Sequence, residues 1–252
     1  MKIKKILVSQ PKPQNEKSPY FELAKKHNLK IDFRSFIHIE GIAAKEFRQS
    51  RINISSHSAV IFTSKTAIDH FFRICEEMRV PIPDSLKYFC VSGSIANYLQ
   101  KYIVYRKRKV FVGTNNFKGL MELILKHNEE KFLVPLSDMH KPEIPEQLDK
   151  NKINYSIAIL YRTICSDLSD LSDVNYDILV FFSPSGIKSL LKNFPDFKQN
   201  NKKIAAFGPT TIQAVKKAGL HLDIEAPTSK APSMTMALEQ YITNHNKNNK
   251  QA

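Results

Sequence analysis

Leu179-Val180-Phe181-Phe182-Ser183-Pro184-Ser185-Gly186-Ile187 is an apolar strand that runs into a small-polar turn and opens a helix. The next such unit is Ile204-Ala205-Ala206-Phe207-Gly208-Pro209-Thr210-Thr211-Ile212. The first half of the chain carries the same pair, as Ala59-Val60-Ile61-Phe62-Thr63-Ser64-Lys65-Thr66-Ala67 and Tyr88-Phe89-Cys90-Val91-Ser92-Gly93-Ser94-Ile95. Each turn sets hydroxyls and unpaired backbone N–H groups at a helix N-terminus, where an anion binds without a metal or a cationic side chain. Two such halves facing each other would form a cleft for an anion.

Outward from these units, strand-like apolar runs alternate with amphipathic helical segments almost without a break, the pattern of an α/β fold with parallel sheets. A first strand at Ile3–Val8 is followed by a helix from Ser18-Pro19 to His27, a strand over Lys30–Ile39 and a helix over Ala43–Ser50. Lys65–Met78 carries Ile68, Phe71, Phe72 and Cys75 at helical spacing, a stripe that packs on a sheet. Asn154–Thr163 reads as a long strand with Ile157, Ile159 and Tyr161 on one face, and the last helix spans Ser233–Thr243. The polar segment 244–252 reads as a disordered tail.

A chain of 252 residues is long enough for two domains of ordinary size, and the doubled pattern favours two. Its net charge of +14 points to an acidic partner: nucleic acid, an anionic surface or a polyanionic small molecule. Cys75, Cys90 and Cys165 lie in or beside apolar segments without metal-ligand spacing, as expected of unpaired thiols in a reducing compartment. No apolar run reaches the roughly 20 residues that cross a bilayer, so the expectation is a soluble, cytoplasmic protein.

Phosphate-loop, dinucleotide, nucleophile-elbow and zinc-protease motifs are missing, and the histidines have no partner at ligand spacing. Metal and nucleotide chemistry are therefore not expected. Lys101–Lys109 interleaves tyrosines with cations, as single-strand-binding surfaces do, yet no nucleic-acid module accompanies it. Asp138-Met139-His140-Lys141 could be an acid/base cluster or simply the opening of a helix. Tyr161 ends its strand where a phenol could reach into a cleft, or where a buried ring hydrogen-bonded through its hydroxyl would serve equally well.

The order Phe62-Thr63-Ser64, Val91-Ser92-Gly93, Leu160-Tyr161-Arg162-Thr163, Phe182-Ser183-Pro184-Ser185-Gly186 and Phe207-Gly208-Pro209-Thr210-Thr211 resembles the uroporphyrinogen-III synthase family over nearly the whole chain. The resemblance implies two α/β domains joined by a two-stranded connector with a cleft between them. They would be residues 1–37 with 163–243, and residues 38–162. It implies a lyase that cyclises hydroxymethylbilane, a linear tetrapyrrole octacarboxylate, to uroporphyrinogen III with inversion of ring D and loss of water. No metal or organic cofactor takes part in the family's reaction, and a monomer free of nucleic acid and membrane is implied. By motif position Tyr161 is the expected catalytic residue, assisting departure of the hydroxyl. Thr63, Ser64, Ser183, Ser185, Gly208, Thr210 and Thr211, with Lys65, Ser92, Ser94 and Gly186 of the same turns, form the expected substrate-binding set. The chain departs from the family pattern at Gln10, where many members have arginine, and at Ile95, where the family has threonine. The other function class the pattern admits is a non-catalytic, anion-binding homologue with the same two domains.

Overall fold

The computed structural model describes residues 2–171 and 175–251, with side chains to Asn246. In chain order the elements are β1 (Lys5–Val8), α1 (Pro19–His27), β2 (Lys30–Phe33), β3 (Ile37–Gly41), α2 (Ala44–Gln49), β4 (Ala59–Phe62), α3 (Lys65–Glu77), β5 (Lys87–Cys90), α4 (Gly93–Leu99), β6 (Val110–Val112) and α5 (Phe117–Leu125). There follow β7 (Phe132–Ser137), α6 (Glu143–Lys150), β8 (Tyr155–Cys165), β9 (Ile178–Phe181), α7 (Pro184–Asn193), β10 (Lys203–Phe207), α8 (Pro209–Lys217), β11 (Ile224–Ala226) and α9 (Met234–Gln251). Two compact units result, Met1–His38 with Ile164–Ala252 and Ile39–Thr163, and their boundaries fall within β3 and β8.

The discontinuous unit holds a five-stranded sheet of order β11-β10-β9-β1-β2, in which every pairing is parallel. Apart from Lys5 and Lys203 at the starts of β1 and β10, its central strands are apolar because both faces are covered. Ile6, Val8, Ile178 and Val180 pack with Leu23 of α1 and Leu238 and Ile242 of α9, while Leu7, Leu179, Phe181 and Ile204 pack on the other side with Ile187, Leu190 and Val215 of α7 and α8. The Asp177 carboxylate accepts from the backbone N–H groups of Lys4 and Lys5 at 2.7 and 2.8 Å, holding β1 against the start of β9.

The continuous unit holds a six-stranded sheet of order β3-β8-β7-β4-β5-β6. The pairs β8–β7, β7–β4, β4–β5 and β5–β6 are parallel. β3 runs opposite to β8, since Ile42 N donates to Leu160 O and Ser166 N donates to Phe36 O, each at 2.9 Å. The expected stripe of α3 is real: Ile68, Phe71 and Ile74 are fully buried against Val60, Phe62 and Leu133. Removing a side chain of this size from water stabilises the fold by about 1.5–3 kcal/mol. Ala59, Ile61, Phe89 and Phe132 point to the other face, against Leu120, Met121 and Ile124 of α5 and Leu148 of α6.

Three expectations change. The strand read over Lys30–Ile39 is two strands in different sheets, β2 and β3, because Phe36 turns into the core of the discontinuous unit and meets the Phe181 ring edge-on at 5.7 Å. Tyr161 does not share a face with Ile157 and Ile159. Leu136 is in register with Ile159 but Ser137 with Tyr161, so Leu160 is an extra residue in β8 and Tyr161 joins Ala158 and Leu160 in the cluster under α3. Finally, α9 continues past Thr243 to Gln251, where the sequence reading ends the helix and begins a disordered tail; residue 252 lies outside the described residues. Among the described residues, no helix is long and apolar enough to cross a membrane.

Candidate functional site

Most of the expected site residues stand in turns that leave the C-terminal ends of parallel strands and open helices, the edge where open α/β sheets bind ligands. In the continuous unit, Thr63 and Ser64 connect β4 to α3. Ser64 is the N-cap: its Oγ accepts from Ala67 N at 3.0 Å, one of the donors the first helical turn leaves over. The same Oγ lies 3.2 Å from the Tyr161 hydroxyl. Tyr161 is 8% exposed, and burial pushes its phenol above the ordinary range, an effect that the Ser64 contact partly opposes. The group is thus protonated at neutral pH and can act as a hydrogen-bond or proton donor.

The backbone around Tyr161 is tied to the β7–α6 turn. Asp138 N donates to Tyr161 O at 3.1 Å, and the Asp138 carboxylate accepts from Thr163 N at 3.1 Å and from Met139 N and the Ser137 hydroxyl at 2.9 Å. Asp138 is thus a latch across the β8 bulge. His140 follows it, with Nδ1 2.9 Å from Ser137 O, so this nitrogen carries a proton and donates.

Thr63, Ser64 and Tyr161 share the wall of one cavity of about 490 Å³ with Asn115, Asn116, His140 and Lys141, over an apolar floor of Val91, Phe117, Leu136 and Ile144. Asn116 is itself an N-cap, its Oδ1 accepting from Gly119 N at 2.7 Å. The two asparagines went unnoticed in the sequence; the available signal was their place after β6 at the start of α5, equivalent to that of Thr63 and Ser64. Lys65, Ser92 and Ser94 stand outside this wall. The Lys65 ammonium lies over the Tyr98 ring, 5.3 Å from its centroid. Ser92 caps α4 without a side-chain bond to its backbone, its Oγ 3.3 Å from that of Ser94. Ile95, at the family threonine's position, is 7% exposed and packs in the core.

The discontinuous unit carries the second set. Ser183 caps α7, its Oγ accepting from Gly186 N at 3.2 Å, and Pro184 occupies the first turn. Gly208 precedes α8 with φ of 86°, a conformation open to glycine and costly for other residues, and its N–H donates to Ala226 O at 2.6 Å. Thr210 is exposed at this helix start, whereas Thr211 is 1% exposed, so its hydroxyl is turned away from solvent. Ser185 and Gly186 lie in the first turn of α7, Ser185 half-buried and Gly186 buried.

The remaining candidates have local explanations. Of the tyrosines of the basic run, Tyr105 is exposed but Tyr102 faces the protein: its hydroxyl donates to Asp69 at 2.5 Å and its ring stacks on Phe72 at 4.4 Å. His127, Glu129 and Glu130 have the spacing to hold a metal ion, but Lys87 engages the Glu130 carboxylate and lies 4.0 Å from that of Glu129.

A family model described as Uroporphyrinogen-III synthase HemD matches residues 18–236. Among solved structures the chain is similar to uroporphyrinogen-III synthetase from Helicobacter pylori 26695, with 17% identity and a TM-score of 0.60 over 96% of this chain and 100% of that one. It is also similar to a mutant uroporphyrinogen III synthase from the extremely thermophilic bacterium Thermus thermophilus, with 14% identity and a TM-score of 0.53 over 96% of this chain and 99% of that one. At these identities the structures speak for a shared fold. A comparison with curated proteins finds no match.

Proposed function

Because the chain belongs to the uroporphyrinogen-III synthase HemD family, we propose that it works as that lyase, with Tyr161 as the proton donor to the departing hydroxyl and the strand-end turns as holders of substrate carboxylates. The observation that carries the assignment is the Tyr161–Ser64 pair in the wall of a cavity rimmed by polar groups.

The reaction converts hydroxymethylbilane to uroporphyrinogen III. Ser64 Oγ accepts the Ala67 N–H and turns its own proton toward the Tyr161 oxygen, leaving the phenol O–H to point at the hydroxymethyl oxygen. As the C–O bond breaks, the hydroxyl takes the phenol proton and leaves as water, while Ser64 and the Ser64-capped start of α3 stabilise the phenolate. The resulting azafulvene is attacked by the substituted carbon of ring D to give a spiro intermediate. Fragmentation of the bond to ring C and reclosure through the free carbon of ring D deliver the inverted ring, and the proton lost on rearomatisation restores the phenol. The net change is loss of one water. The substrate's pyrroles are electron-rich, so holding them in the reactive geometry is the larger part of the work.

The carboxylates are received by Thr63, the backbone of Lys65 and the Lys65 ammonium, Ser92, Ser94, Ser183, Ser185 and Thr210; Gly186 and Gly208, whose N–H groups are bonded within the turns, shape the starts of α7 and α8, and buried Thr211 supports the α8 turn. The enzyme is read as a cytoplasmic monomer that requires neither nucleic acid nor membrane. The free thiols favour a reducing compartment, with Cys75 and Cys90 buried and pushed up to about 12.

The test generates hydroxymethylbilane in situ, adds the purified protein and separates the oxidised porphyrin isomers. Type III product formed faster than the spontaneous type I isomer is the expected result. Type I alone, at the uncatalysed rate, would sink the catalytic reading in favour of an anion-binding homologue.

A further inference from the structure

Gly41, at the end of β3, lies against two side chains of α3: a Cβ there would come within 2.9 Å of the Arg73 guanidinium and of His70 Cε1. The side chains of His70 and Arg73, from the second and third turns of α3, therefore reach the strand end. Arg73 uses that proximity fully. Its Nε donates to His70 Nδ1 at 3.1 Å and one terminal nitrogen to Glu77 at 2.6 Å. The other terminal nitrogen donates to the carbonyls of Ile42 and Leu160 at 2.7 and 3.3 Å.

Two of these bonds bear on Tyr161. Leu160 is the extra residue of the β8 bulge and immediately precedes it, so the guanidinium holds the backbone that changes the ring's face. The His70 ring lies against the Tyr161 ring with centroids 5.1 Å apart and planes 19° from parallel. Because Arg73 donates to Nδ1, that nitrogen is bare and the imidazole plane is set by the bond. Besides the hydroxyl's contact with Ser64, the phenol ring thus has a flat neighbour of fixed orientation.

We propose that His70 and Arg73 are positioning residues for the Tyr161 phenol: His70 sets the plane of its ring by stacking, and Arg73 fixes His70 and the Leu160 carbonyl together. Neither residue belongs to the expected binding set, and neither lines the cavity that Tyr161 shares with Thr63 and Ser64. The inference rests on the catalytic reading of Tyr161.

The experiment measures kcat and KM for His70→Ala, His70→Phe and Arg73→Gln, each alone and combined with Tyr161→Phe, with urea midpoints as a control of folding. His70→Ala and Arg73→Gln are expected to lower kcat by about tenfold, as small misplacements of a reacting group do, with KM changed less than about twofold. His70→Phe restores a flat ring and is expected to recover most of the loss. In the Tyr161→Phe background the same substitutions should have little further effect, because the hydroxyl they orient is gone. Equal losses in both backgrounds would mean a purely structural role, and wild-type kcat in His70→Ala and Arg73→Gln would remove the inference alone. Wild-type turnover by Tyr161→Phe itself would instead overturn the catalytic reading and with it the positioning role. Should Arg73→Gln fail to fold, the comparison of His70→Phe with His70→Ala decides, and equal losses in the two count against the stack.

Discussion

Of the single residues, one hydroxyl and one missing hydroxyl matter most. Tyr161→Phe keeps the ring that packs under α3 and removes only the hydroxyl proposed as proton donor, so kcat is expected to fall by about 100-fold, the usual contribution of a positioned acid, with the fold intact in near-ultraviolet circular dichroism. Ile95 replaces a family threonine, and read from the sequence alone it is a lost substrate contact. The structure makes it a core residue at 7% exposure. Ile95→Thr is therefore expected to lower stability by about 1–2 kcal/mol in urea unfolding and to leave kcat no higher, since burying a hydroxyl in this cluster restores nothing. The φ of 86° at Gly208 predicts a similar cost of about 1–2 kcal/mol for Gly208→Ala, read from the same unfolding curves.

Among the elements, β8 decides most. Its sequence alternates well enough to be read as a strand, and the reading places Tyr161 with Ile157 and Ile159. A bulge is invisible to such a reading, because it is set by the partner strand: β7 ends at Ser137, and the following Asp138 bonds back to β8 at Tyr161 O and Thr163 N. Asp138→Ala removes acceptors from Thr163 N, Met139 N and the Ser137 hydroxyl together. The expected outcome is a loss of about 1–2 kcal/mol in stability and a drop in kcat larger than any change in KM, measured by urea unfolding and by the coupled isomer assay. A stability loss with unchanged kcat would show that the latch matters only for folding. The α3 and α9 helices illustrate the opposite cases. The stripe of α3 is legible at helical spacing because burial imposes it. The end of α9 is not, because a polar segment carries no periodicity to mark where a helix stops.

For the whole molecule, charge and buried histidine set the response to solution conditions. A chain of net charge +14 acting on a polycarboxylate should show a KM that rises steeply with ionic strength while kcat stays level, a pattern that steady-state assays from low to physiological salt would reveal. Stability should fall in mild acid. His57 is 5% exposed, its Nδ1 2.9 Å from Asn53 O and its Nε2 buried without a partner among the described residues. Burial, joined by the nearby Lys131, holds it below the ordinary 6.5, with the Asn53 carbonyl opposing. His70 is shifted the same way by burial and Arg73. As pH falls below about 6.5, the unfolded chain takes up these protons first, so stability is complete above that pH and declines toward the lower folded-state values. Urea midpoints measured from pH 7.5 to 5 should show this slope, and His57→Gln should flatten part of it; an unchanged slope would assign the acid sensitivity elsewhere.

The α/β class, the strand-to-turn-to-helix units and the family are legible in the amino-acid sequence, because they depend on periodicities and turn residues that are local along the chain. Tyr161, Thr63 and Ser64 are marked there too, by their order, and the structure brings these three into one cavity. Tertiary packing settled the rest: which face Tyr161 occupies, that Thr211 and Ile95 are buried, and that Asn115, Asn116, Asp138, His70 and Arg73 surround or support the same phenol. Those outcomes depend on where a neighbouring strand ends and which side chains of a helix reach it. Such quantities belong to pairs of elements far apart in sequence, and no single segment encodes them.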